Sequence, residues 1–183
     1  PHFPGAFQMT IALSDFLARY TQRLLSESVR SVEDLDEEEA NFRPHENTNA
    51  VGFEAWHVAR TADNLIHFAF ARETPVWIAQ GFVERWGLPK VDQGTGMDPN
   101  DAHGLKFPAG SELATYIKAV SEAIIPKIRA MSDAYLDETI PIKPFGEMKR
   151  ADIIGQVIIS HGNLHIGQMA AGRTMLGKPG MGF

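Results

Sequence analysis

The 183-residue chain contains no cysteine, which excludes a disulfide framework, a thiolate metal site, cluster ligation by protein thiols and a cysteine nucleophile. Any metal it holds must be bound by His, Asp or Glu. Basic charge is scarce: 17 Lys and Arg against 23 Asp and Glu give a formal net charge of -6, so bulk electrostatics do not draw the chain to nucleic acid or to anionic membranes. No apolar run approaches the roughly 18 residues of a membrane-spanning helix. The opening PHFPGAFQMTIALSDF has neither a basic stretch nor a long apolar run before a small-residue cleavage site, so it does not read as a signal peptide. A cytoplasmic protein with no nucleic-acid or membrane partner is expected. Residues 1–9 are expected to be an N-terminal extension, with Met9 the natural start and residues 1–8 left from cloning, and 10–183 a single helical domain.

Hydrophobic residues make up 44% of the chain, enough for one domain-sized core. From Thr10 to about Val32, Leu13, Phe16, Leu17, Tyr20, Leu24 and Val29 recur at helical spacing and predict a helix with one buried stripe. The acidic run Glu33–Glu39, followed by Arg43-Pro44, reads as a solvated connector. A second helix is predicted over about Asn49–Ala71, with Phe53, His57, Arg60 or Thr61, Asn64 and Phe68 on its buried face. Residues 74–110 carry four prolines and six glycines and predict a long crossover with one short helix near Pro75–Trp86; such connections are often functional lids. A third helix follows, capped by Ser111 and kinked by Pro126. After Pro141 and Pro144 comes a last helix over about Arg150–Leu176, ended by Gly177 and Pro179. No strand pattern stands out, and the fold class expected is all-α, a four-helix bundle with its crossover between helices 2 and 3.

The last helix carries His161 and His165 four residues apart, so both emerge from one face with Cβ atoms about 5–6 Å apart. That face includes Ile154, Val157 and Ile158 before the pair and Gln168, Met169 and Gly172 after it, which makes it the core-facing stripe. His57 on the second helix is a candidate third ligand. Three neutral imidazoles with an open position are the composition of a catalytic zinc-type site; the alternative is three core histidines bonded to carbonyls and water. Gly162 stands where a zincin protease has its general-base Glu, and no inward Glu-x-x-His motif indicates a di-iron bundle. His67, about 15 Å along the helix from His57, reads as a surface or interface residue. His103, inside the crossover, is a lesser candidate. Gln168 is a candidate to orient a histidine or the bound substrate, and Arg60 to hold a substrate carboxylate or to pair with Asp63 or the acidic connector. Trp56, Trp77, Phe82 and Trp86 read as core before pocket wall. Gly155, Gly162, Gly167 and Gly172 each weaken the last helix unless another helix or a dimer partner approaches closely.

Two blocks, Arg43-Pro44 with Asn49-Ala50-Val51-Gly52-Phe53-Glu54-Ala55-Trp56-His57-Val58-Ala59-Arg60-Thr61-Ala62-Asp63, and His161-Gly162-Asn163-Leu164-His165-Ile166-Gly167-Gln168, resemble the DinB-like, YfiT-like family of metal-binding bundles. The resemblance covers the chain from about residue 10. It implies an up-down-down-up bundle, commonly a homodimer, with His57, His161 and His165 as the ligands of one divalent metal, Zn or Ni. It further implies a small-molecule substrate and either hydrolysis or transfer onto a low-molecular-weight thiol; a non-catalytic metal- or ligand-binding module is the alternative. Family members often have Glu where this chain has Gly162, so no acid–base role can be placed there.

Overall fold

A computed structural model describes residues 11–181; the expected N-terminal extension, with His2, lies outside the described residues. Four long helices build the fold. Helix α1 spans Leu13–Val32. Helix α2 begins as Val51–Asp63 and passes directly into a wider π-helical stretch, Asn64–Phe70. Helix α3 spans Gly110–Arg129 and contains Pro126. Helix α4 starts at Arg150–Asp152, widens into a π-helical stretch over Ile153–Ser160, and continues as His161–Met175. Helices α1 and α2 each pack against all three others, which places them at the centre.

The apolar stripe expected on α1 is wider than the face that is buried. Leu17, Leu24 and Val29 are in the core, but Leu13, Phe16 and Tyr20 are exposed, with the last two rings 4.6 Å apart on the flank. The buried face is turned toward Ala18, Thr21, Leu25 and Ser28, whose smaller side chains let neighbouring helices come close. All thirteen residues of Val51–Asp63 are buried, so this part of α2 has no solvent face. Beyond it the helix has an open side, and that side carries the two residues expected on the buried stripe: Asn64 is only partly buried and Phe68 is half exposed, while Leu65, Ile66, His67 and Phe70 are buried. On α3, Leu113, Tyr116, Ile117, Val120, Ile124 and Ile128 are buried as their spacing predicts.

The connectors are more ordered than their composition suggests. Asp36 and Glu39 form a capping box around the helical turn Glu37–Ala40. Asp34 accepts from both terminal nitrogens of the buried Arg173, whose Nη1 also donates to the Ser31 carbonyl at 3.1 Å. The acidic run is thus partly a fastening for α4 instead of a purely solvated link. Asn41 bonds both backbone groups of Phe107, and the Gly110 amide donates to the Leu35 carbonyl at 2.9 Å. These contacts fix the start of α3, which lies at Gly110 with Ala109 before it and no side-chain cap, not at Ser111.

The crossover holds three short helices, Val76–Ala79, Phe82–Trp86 and Pro99–Gly104, where the sequence predicts one. Between α3 and α4, strands β1 (Thr139–Ile142) and β2 (Gly146–Lys149) form an antiparallel hairpin. Pro141 and Pro144 hide it from pattern reading, because prolines in so short a run argue against a strand; proline is accommodated here because a two-stranded sheet consists of edges. Trp56, Trp77 and Phe82 are core residues, as expected, whereas Trp86 is only partly buried against that core.

Two of the four glycines on α4 have a packing reason. A Cβ at Gly162 would lie 2.5 Å from Leu24, and one at Gly172 would lie 2.6 Å from Val51. Gly155 and Gly167 have nothing within 4 Å. The tightest approach is at Gly110, where a Cβ would stand 1.7 Å from the Val32 carbonyl oxygen. Gly110→Ala is therefore expected to destabilise the protein by about 1–3 kcal/mol through overpacking against backbone, while Gly167→Ala stabilises it by roughly 0.5–1 kcal/mol. Urea unfolding of the two variants checks the pair; equal effects would contradict this packing.

Candidate metal centre

The centre is built where α2 and α4 face one another. Glu54, His57, Arg60, Asp63 and His67 follow at spacings of three, three, three and four, a stripe that winds round α2 and puts Glu54 and Asp63 on opposite sides of it. All five are buried. Each must find a partner, because an unpaired buried polar group costs about 1–3 kcal/mol, and more when it is charged.

Glu54 supplies the first link to α4: its carboxylate accepts from His165 Nδ1 at 2.5 Å. His57 Nδ1 donates to the Gln93 carbonyl at 2.5 Å. A carbonyl only accepts, so the proton of His57 sits on Nδ1 and its Nε2 presents a lone pair; the Glu54 carboxylate fixes the same tautomer in His165. The Nε2 atoms of His161 and His165 are 3.0 Å apart. The three rings stand nearly perpendicular to each other, with centroids 4.5–5.2 Å apart, and one nitrogen of each lies within 4.8 Å of the others. Lone pairs converging on one point repel unless a cation lies between them. Three imidazole nitrogens so placed, one ring oriented by a carboxylate, therefore fit a divalent ion.

Burial pushes the His57 imidazole down to about 4, outweighing the opposing effect of the Gln93 carbonyl. Burial also lowers His161, assisted by the neighbouring His165. Both are thereby held in the neutral form that a metal requires.

The crossover delivers the Gln93 carbonyl through a tight turn. The Gly94 amide donates to Asp92 Oδ1 at 2.8 Å, and Gly94 has φ of +92°. A Cβ there would meet Phe53 at 2.8 Å and His57 Nδ1 at 3.2 Å, so this position demands glycine on both conformational and steric grounds. Arg60, buried against the ring of Trp77 at 5.4 Å, reaches the carbonyls of Lys90, Val91 and Asp92. It holds the crossover down and pairs with neither Asp63 nor the acidic connector.

Asp63 is a second hub. It accepts from the Val76 and Trp77 amides, from the Tyr116 hydroxyl and from His67 Nδ1, all at 2.8–2.9 Å. Burial, with the Asp63 charge second, raises the Tyr116 hydroxyl well above its ordinary value, so it remains a donor. His67 is consequently a buried structural residue, not a surface one. Met169 and Gly172 face inward as expected, but Gln168 is exposed and lines a small cleft with Glu54, Pro44 and Asn49. His103, on the turn Pro99–Gly104, does not join the triad. Sequence reasoning does not single out Glu54, Asp63 or Gln93; for the first two the signal is a row of ionisable residues through an otherwise apolar helix, and Gln93, in the crossover, carries none.

The family model described as the DinB superfamily matches residues 20–169. The chain belongs to the DinB superfamily. A conserved protein from Enterococcus faecalis, known from its crystal structure, is similar in fold, with a TM-score of 0.78 at 20% sequence identity over 92% of this chain and 100% of that one. No curated protein matches the chain. This DinB-superfamily chain is mostly helical, carries a histidine cluster that could hold a metal ion, and among its described residues has no helix long and apolar enough to cross a membrane.

The neutral state of His57 makes the metal-free protein sensitive to acid. Its folded value near 4 lies below the unfolded value near 6.5, so its contribution to stability is complete above about pH 6.5 and is lost as the pH falls toward 4. Between pH 7 and pH 5 the loss is expected to be about 2 kcal/mol by urea unfolding. His57→Gln should flatten most of that slope; an unchanged slope would place its cause elsewhere.

Proposed function

We propose that this protein is a divalent-metal enzyme, with Zn or Ni held by His57, His161 and His165, that transfers a small electrophilic substrate onto an external low-molecular-weight thiol. The observation that carries this reading is the convergence of three imidazole nitrogens within 4.8 Å, with the tautomers of His57 and His165 set by Gln93 and Glu54. A divalent ion bound there supplies Lewis acidity, lowering the pKa of a thiol or water toward neutrality. Glu54 holds the proton on His165 Nδ1, and Gln93 does so for His57, so both rings keep Nε2 available. The chain has no cysteine, so the thiol must come from solution.

Hydrolysis is the less supported reaction. Water, much less acidic than a thiol, benefits more from a protein base, yet Gly162 follows His161, Glu54 is engaged with His165, and no Asp or Glu lines the cleft beside His161. Leu13, Phe16 and Tyr20, exposed on α1, support the homodimer that the family resemblance implies.

The experiment is metal analysis of purified protein, followed by assay of the zinc- and nickel-loaded forms with a thiol and an electrophile and with simple esters. Near-stoichiometric metal that disappears in His161→Ala, and thiol transfer that disappears with it, is the expected result. Glu54→Gln is expected to weaken metal binding about 10–100-fold without unfolding the chain. Metal binding with no acceleration of any of these reactions would favour a non-catalytic binding module. Failure to bind either metal would reduce the triad to core histidines.

A further inference from the structure

A cleft of about 480 Å³ opens beside His161, between the π-helical part of α2 and the β1–β2 hairpin. Leu65, Phe68, Ile142, Phe145 and Val157 give it apolar walls. Phe68 and Phe145 are each at least half exposed, an uncovered apolar surface that a ligand would bury. Arg72 and Lys143 line the same cleft. Neither pairs with a carboxylate among the described residues. In a chain of net charge -6, two unpaired cations on an apolar cleft without acids form a local field that selects anions.

Arg72 carries a further mark. Its φ is +58°, the left-handed region, and it sits just after the end of α2, where glycine is the ordinary residue. An arginine there accepts backbone strain that glycine would relieve, and its guanidinium lies over the Phe68 ring at 5.5 Å. Backbone conformation does not call for arginine at this position.

We propose that this cleft binds a small organic carboxylate with an apolar body, the carboxylate meeting Arg72 and Lys143 and the body lying on Phe68 and Phe145. This names the substrate class of the reaction proposed above, and it rests on that reading for its catalytic meaning: the cleft is bounded by His161, so the bound acid sits beside the proposed metal. The cation pair and the aromatic walls do not depend on the metal.

The test is titration calorimetry of 4-phenylbutyrate, with 4-phenylbutylamine as the cationic control, on both zinc-loaded and metal-free protein. Saturable binding of the acid to both forms, and none of the amine, is expected. Arg72→Gly should weaken binding of the acid about tenfold while leaving the melting temperature unchanged or higher. Lys143→Gln should weaken it similarly with no change in melting. Binding of the acid by a protein that fails to take up zinc would support the cleft assignment while overturning the metal reading. Equal binding of acid and amine, full affinity in both variants, or no binding of the acid to zinc-loaded protein would overturn the assignment.

Discussion

Ionisable side chains on a helix buried on every side need partners, and α2 carries five buried ones on a stripe that winds round it. The positions of the surrounding elements follow from the partners these five take, although Arg60 bonds through Nη2 alone and leaves Nε and Nη1 without a partner. Glu54 reaches α4 through His165. His57 and Arg60 collect carbonyls from residues 90–93 of the crossover. Asp63 gathers the amides of Val76 and Trp77 and the hydroxyl of Tyr116 on α3. Desolvation makes each missing bond costly, so the polar row works as a set of fasteners that determines where a long, irregular crossover lies.

The same constraint builds the candidate metal centre. The crossover is pinned directly over the triad, and the contact that pins it sets the tautomer of His57. A loop composition that suggests mobility is thereby compatible with an ordered site: Gly94 allows the backbone to come within contact of Phe53 and His57, and Asp92 closes the turn. Two π-helical stretches lie close by, one ending at Phe70 and the other running into His161. Such widened turns are frequent at functional sites. Here the first leaves Phe68 uncovered beside Arg72, and the second ends at a triad residue.

Membership of the DinB superfamily and the convergent histidines bear on different questions. The family match and the similarity to the Enterococcus faecalis structure concern the fold. The chemistry available depends on the site: convergent imidazoles, a carboxylate committed to one of them, and no acid along the cleft.

Periodicity and composition were enough for the four long helices, the connection between the second and third, and the His161–His165 pair, because helical spacing alone places two residues four apart on one face. The third histidine of the cluster was also legible, since His57 stands in a long apolar segment where a polar ring needs a reason. Tertiary structure alone decided what lies between elements. It paired Glu54 with His165 across 111 positions, brought Gln93 onto His57, buried His67 on Asp63, turned Gln168 outward, and gathered Arg72 and Lys143 in one cleft. The hairpin at Thr139–Ile142 and Gly146–Lys149 was equally hidden, since its pairing is a relation between short segments that carry no periodic signal of their own. A spacing along one chain fixes direction only within a helix; which helix face meets which loop depends on how the whole core closes, and that is a property of the packed chain.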